Sequence, residues 1–221
     1  MLKFWNYTVV LTFVSLSCAI LGMSFSFDYI AGVGRPVWWS IICMLLCGLC
    51  DAFDGRIARS KKNRTLSEIR FGIQLDSLCD VICFGALPCC IGYALGMNKW
   101  FYIPIFCFYC ICAVTRLSYF NMKEEEELIA TTKSDEKCYT GMPITTVVLI
   151  FPLVYVLSFV LGEQGQNIFL AVCSSAYVLC GALFILPFRI KKSGLAGVML
   201  MVGIGVIEAI VVLASLVFLR Q

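Results

Sequence analysis

The sequence predicts an all-α, polytopic transmembrane helix bundle, and three observations carry that fold class. Of 221 residues, 61% are hydrophobic and 14% charged, with a mean hydropathy of +0.92, whereas a soluble domain carries about 25% charged residues. The apolar residues fall into stretches near the ~20 residues that a spanning helix needs. The basic residues gather in alternate links between those stretches. The length leaves room for about seven spans in a single integral-membrane domain, residues 1–221, and none for a separate soluble domain.

The spans can be taken in order. The first runs from about Tyr7 to Phe25; its apolar run is longer than the 7–15 residues of a signal-peptide core, so it reads as a span. A link with Asp28, Gly32, Gly34 and Arg35 follows. Span two begins near Pro36, since proline is tolerated in a first helical turn, with Trp38 and Trp39 at the expected interface. It ends in Asp51 and Asp54. The basic stretch Arg56 to Arg70 reads as a loop, with Ser67 and Glu68 opening span three, which runs to about Leu95 and holds Asp76 and Asp80 in its early turns. Span four covers about Trp100 to Tyr119. A polar loop from Asn121 to Gly141 includes the acidic run Glu124 to Glu127, read as a solvated face. Spans five (about Pro143 to Leu161) and six (about Ile168 to Phe188) are joined by a short link. The basic turn Arg189, Lys191 and Lys192 precedes span seven, about Leu195 to Leu219, whose Glu208 reads as a packing residue.

With seven spans, Lys3, the six basic residues of the Arg56 to Arg70 loop, Arg116, Lys123, Lys133, Lys137, Arg189, Lys191 and Lys192 share one face. They are 14 of the 17 Lys and Arg. Arg35, Lys99 and Arg220 fall opposite, so the positive-inside bias places the aspartates and the N-terminus on the cytoplasmic side. Most of the 14 cysteines lie within apolar stretches, where a thiol packs as a small hydrophobe. The pairs Cys47/Cys50 and Cys107/Cys110 have no accompanying His and read as packing residues.

Four aspartates organise the rest. Asp51 and Asp54 are spaced i,i+3, and Asp76 and Asp80 i,i+4, so each pair lies on one face of its helix. Two such helices packed side by side bring four carboxylates together. Mutual repulsion and desolvation oppose such a cluster in a membrane protein, and divalent cations would offset both. All-oxygen ligands suit Mg²⁺ or Mn²⁺, and the chain has no His. Gly55, Ala58 and Gly72 are small residues on the carboxylate faces, and Arg59 adds a fixed cation. Two metals, an arginine and open backbone describe a pyrophosphate site. A transporter would also carry intramembrane carboxylates, but its polar groups should lie near the midplane on broken helices; here they cluster towards one face.

The order D-x2-D-G-x2-A-R, a spacer, then G-x3-D-x3-D, at Asp51, Asp54, Gly55, Ala58, Arg59, Gly72, Asp76 and Asp80, resembles the signature of the CDP-alcohol phosphotransferases. The spacer Ser60 to Phe71 is longer than the commonest family form, a change that a solvated loop tolerates. The resemblance implies a six-helix family core plus one further span and about two divalent cations, Mg²⁺ or Mn²⁺, at each active site. It implies Asp51, Asp54, Asp76 and Asp80 as metal ligands, Asp80 also as the catalytic base, and Gly55, Ala58, Arg59 and Gly72 at the nucleotide and pyrophosphate.

LDSLCDVICFGALP (Leu75 to Pro88), RLSYFN (Arg116 to Asn121), YTGMP (Tyr139 to Pro143) and PFRIKK (Pro187 to Lys192) resemble the phosphatidylserine synthase branch of that family. Cys83 and Leu87 depart from its usual Ser and Ala. The branch implies CDP-diacylglycerol and L-serine as substrates, with Arg116, Asn121, Tyr139, Thr140 and Gly141 on the acceptor side. From its residue type alone, Arg116 could equally snorkel to the interface. The alternative acceptors are glycerol 3-phosphate or an inositol compound. The family further implies a homodimer. Membrane lipids are expected partners and nucleic acid is not; the expected location is a bacterial or archaeal-type cell membrane.

Overall fold

A computed structural model of the chain describes residues 9–60, 65–129, 138–187 and 189–191, together with positions 203–205, 207 and 210. At 56–60, 127, 138–140, 159, 163 and 189–191 the description covers backbone alone. Helix α1 spans Val10–Ile30, α2 Trp38–Ser60 and α3 Leu66–Asp80; a π-helical turn, Val81–Ala86, leads into α4, Leu87–Ala94. A 3₁₀ turn at Trp100–Tyr102 opens α5, Ile103–Ile129; after β1, Cys138–Thr140, come α6, Val147–Leu161, and α7, Gln166–Ile185, then β2, Arg189–Lys191.

Among the described residues, five helical stretches are long and apolar enough to cross a membrane: Val10–Ile30, Trp38–Gly55, Leu66–Ala94, Trp100–Glu126 and Gln166–Ile185. Ile144–Ser158 is a shorter apolar helix. The chain is an all-α integral membrane protein, with strand pairing confined to a small antiparallel ladder that sets Tyr139 opposite Ile190 and Thr140 opposite Arg189. Most of the expected seventh span, Glu208 included, lies outside the described residues; positions 203–205, 207 and 210 within it are helical.

Several boundaries differ from those read in the sequence. The stretch expected as a loop from Arg56 is helical as far as Ser60, which narrows the connection between the two aspartate helices. The next helix is opened by Thr65 rather than by Ser67 and Glu68. Its side chain accepts from the Glu68 N–H at 3.2 Å, while Glu68 accepts from the Thr65 N–H at 2.9 Å. This reciprocal cap satisfies two amides that a helix start would leave unpaired. Helix α5 continues through Asn121 to Ile129, because Met, Lys, Glu and Leu are good helix formers whatever their hydropathy. Only Trp39 of the tryptophan pair is exposed; Trp38 is buried.

Helix α1 lies along α2, and small polar residues let their backbones approach. Ser26 donates to Ser40 at 3.0 Å, and the Cys47 thiol reaches the Ser15 carbonyl at 3.3 Å. Gly22 is where α1, α2 and α4 meet: a Cβ there would lie 2.9 Å from Leu87 Cδ1 and 3.0 Å from Cys43 Cβ. Small residues drive close helix packing in lipid, where no hydrophobic force operates between helices. The second half of the bundle packs on aromatic rings. Tyr109, Phe151, Tyr155, Phe169, Tyr177 and Phe184 are buried where α5, α6 and α7 meet, with Phe151 and Tyr177 ring centroids 4.5 Å apart. Among the described residues the cysteines are free thiols.

Candidate active site

The helix hairpin α2–α3 brings the two aspartate pairs together as their offsets require. One carboxylate oxygen from each of Asp51, Asp76 and Asp80 lies within 4.8 Å of the others. Asp54, buried at 8% exposure, joins them, its carboxyl group set against that of Asp76. Two pairs separated by more than twenty residues thus form one cluster.

The donor set fits a hard divalent cation. One oxygen from each of Asp51, Asp76 and Asp80 lies near enough to the others for a single divalent cation to be held among them. Every candidate ligand is a carboxylate oxygen. The direct contact of Asp54 with Asp76 is one that two ionised carboxylates could not hold without a proton or a cation. Gly72 lies on α3 one turn before Asp76 and is partly exposed, and Gly55 is exposed on α2, so backbone is open on both sides of the cluster. Ala58 and Arg59 continue α2 as helix, and their side chains lie outside the described residues.

Arg116 is buried, with 7% exposure. Its Nε donates to the Met142 carbonyl at 3.2 Å, and its guanidinium carbon lies 5.8 Å from the Phe120 ring centroid. The side chain is therefore turned into the bundle instead of snorkelling outwards. Gly141 adopts φ +77°, and a Cβ there would lie 3.0 Å from the Phe184 carbonyl oxygen and 3.5 Å from Arg116 Nε. A side chain is excluded both by that conformation and by the crowding. Tyr139 and Thr140 form β1 beside Ile190 and Arg189; their side chains lie outside the described residues.

Asn121 accepts from the Ser77 hydroxyl at 2.7 Å, which connects α5 to the helix carrying Asp76 and Asp80. Gln74 extends the connection, accepting from Asn121 Nδ2 at 3.5 Å and donating to Glu125 at 3.2 Å. Glu125, read as part of a solvated acidic run, is thus engaged with α3. Nothing in the sequence singled out Ser77, Gln74 or Glu125, whereas the spacing of Thr65 and Glu68 is itself a capping signature.

A hairpin of two membrane helices that closes carboxylates from both into one cluster defines a class of membrane proteins with an acidic centre. Within that class, the chain belongs to the CDP-alcohol phosphatidyltransferase family, whose sequence model matches residues 5–219. It is 31% identical over 156 residues to the CDP-diacylglycerol–serine O-phosphatidyltransferase of Helicobacter pylori, covering 68% of this chain and 58% of that protein. It is 33% identical over 113 residues to the protein of the same name from Saccharomyces cerevisiae, covering 50% and 40% respectively. It is 30% identical over 132 residues to the archaetidylserine synthase of Methanothermobacter thermautotrophicus, covering 59% and 52%. The chain spans about half the length of these curated relatives. No solved structure matches it.

Proposed function

We propose that this protein transfers the phosphatidyl group of CDP-diacylglycerol to the hydroxyl of L-serine, giving phosphatidylserine and CMP. The observation that carries the reading is the meeting of Asp51, Asp76 and Asp80, joined by Asp54, between two helices of a chain in this family. Serine as acceptor is supported by the names of the relatives above. In the proposed reaction the serine oxygen forms a bond to the lipid-linked phosphorus. The bond from that phosphorus to the bridging oxygen breaks, and CMP leaves with the electron pair.

Asp51, Asp54, Asp76 and Asp80 would hold Mg²⁺ or Mn²⁺. When bound, such ions neutralise phosphoryl oxygens and stabilise the charge that develops on the leaving group. A serine hydroxyl is a weak nucleophile at neutral pH and needs a base within reach. Asp80, one turn beyond Asp76 on α3, takes that proton in this account. Arg59 pairs with the diphosphate, while Gly55, Ala58 and Gly72 leave room for the nucleotide along the helix backbones. Arg116, Asn121 and the Tyr139 to Gly141 turn form the acceptor side. The acyl chains stay in the bilayer, which accounts for a nucleotide-dependent reaction on a membrane helix bundle.

The distribution of Lys and Arg supports a cytoplasmic active face, and the family resemblance supports a homodimer. The experiment is a CMP-release assay on the purified full-length protein with CDP-diacylglycerol and L-serine. Release that requires serine and Mg²⁺ or Mn²⁺, and that stops in EDTA, is the expected result. Normal release in EDTA contradicts the metal assignment, and hydrolysis without serine contradicts the transfer.

A further inference from the structure

The helix that carries Asp76 and Asp80 does not continue regularly past Asp80. Residues Val81–Ala86 wind as a π-helix, and the Leu87 N–H reaches back five residues to the Ile82 carbonyl. Such an insertion rotates the side chains beyond it by about 100°, one residue's share of a turn. Pro88 follows and has no N–H. It can therefore donate neither to Phe84, four residues back, nor to Cys83, five back.

The Phe84 carbonyl accepts instead from the hydroxyl of Tyr109 on α5. Further along, the Pro88 carbonyl is within hydrogen-bond distance of both Tyr155 on α6, at 3.0 Å, and Tyr177 on α7. Those two hydroxyls lie 2.7 Å apart, so either can serve Pro88 while the other donates to it. The three tyrosines have no exposed surface. The carbonyl that Pro88 cannot serve is therefore held by the Tyr109 hydroxyl at Phe84, one turn from Asp80, while the Pro88 carbonyl itself is reached redundantly by Tyr155 and Tyr177.

We propose that Tyr109 is a positioning residue for Asp80: its bond to the Phe84 carbonyl fixes the π-helical turn, and through that turn the direction in which α3 presents Asp80 towards Asp51 and Asp76. The inference rests on the reading of the aspartates as a cation site serving phosphatidyl transfer. Removing the hydroxyl withdraws the donor that Pro88 cannot supply and loosens the turn directly attached to Asp80. The same deletion at Tyr155 leaves Tyr177 to serve Pro88.

The test compares Tyr109→Phe with Tyr155→Phe in the purified full-length protein, since both keep the buried ring and lose one hydroxyl. Titration with Mn²⁺ alone, followed by electron paramagnetic resonance, should show about fivefold or greater weakening in Tyr109→Phe and less than about twofold in Tyr155→Phe. At saturating Mn²⁺, kcat for CMP release with L-serine should fall about tenfold in Tyr109→Phe, the scale of a sub-ångström misplacement of a reacting group, with KM for CDP-diacylglycerol within about twofold. Wild-type Mn²⁺ affinity and kcat in Tyr109→Phe, equal losses in both variants, or failure of Tyr109→Phe alone to fold would each overturn the proposal. A wild-type protein that binds Mn²⁺ but releases no CMP with any alcohol refutes the proposed reaction and leaves the Mn²⁺ comparison to decide the role of Tyr109. Wild-type protein that binds no Mn²⁺ overturns both.

Discussion

The Ser77 hydroxyl donates to Asn121 Oδ1 at 2.7 Å, tying α3, one residue past Asp76, to α5. Asp76 and Asp80 are thus braced sideways by α5, through Asn121 and the Glu125 contact with Gln74. A residue expected on the acceptor side is therefore also a structural partner of the aspartate helix.

Asn121→Ala leaves the Ser77 hydroxyl without this acceptor, a loss of about 1 kcal/mol for a neutral hydrogen bond. We predict a lower melting temperature in detergent and a reduced kcat/KM for serine, with part of both restored by Asn121→Asp, which keeps an oxygen at the bonded position. Thermal melts and initial rates on the three proteins check this. An unchanged kcat/KM in Asn121→Ala would confine the residue to a minor packing role.

Replacing Asp51, Asp54 or Asp76 with Ala should weaken Mn²⁺ binding and abolish turnover, because each carboxylate belongs to a single cluster. Calorimetric Mn²⁺ titration alongside CMP release makes the comparison. Retained turnover in any of the three variants removes that residue from the ligand set.

Asp80→Asn keeps shape and hydrogen bonding but removes the base. Single-turnover CMP release should slow by about 10²-fold or more, the scale of general-base catalysis, while CDP-diacylglycerol binding falls less, since three carboxylates remain. Equal collapse of binding and transfer would make Asp80 chiefly a metal ligand, and near-normal transfer would exclude it as the base.

Arg116→Ala is expected to raise KM for serine while leaving KM for CDP-diacylglycerol within about twofold, if the buried guanidinium faces the acceptor. The variant also withdraws the donor to the Met142 carbonyl, a change worth about 1 kcal/mol or somewhat more for a charged group. Melting temperature must therefore be followed in parallel. A fall in stability with unchanged serine kinetics would assign Arg116 to holding the Gly141 turn alone.

Five of the expected spans and the aspartate cluster were legible because each rests on a local pattern: runs of apolar residues, and offsets of three and four that put Asp51 with Asp54 and Asp76 with Asp80 on single helix faces. The helical stretches at 56–60 and 121–129 were not legible from hydropathy. Charge ends a membrane span without ending a helix, and the Glu- and Lys-containing run after Asn121 keeps its helix propensity in water. The π-helical turn after Asp80 leaves only one trace in composition, Pro88. Tyr109 lies 25 residues from the Phe84 that it bonds, and Tyr155 and Tyr177 lie 67 and 89 residues from Pro88, and no local pattern joins such positions. Ser77 and Asn121 are likewise paired only by the packing of α3 on α5.

The most direct test of the central account is an acceptor screen with purified protein, CDP-diacylglycerol and saturating Mg²⁺ or Mn²⁺, comparing CMP release with L-serine, glycerol 3-phosphate and myo-inositol, with the lipid product identified by mass spectrometry. The account predicts release with L-serine well above the other two and phosphatidylserine as the product. Faster release with glycerol 3-phosphate or inositol would contradict the assignment of serine as acceptor, and no release with any of the three would contradict phosphatidyl transfer itself.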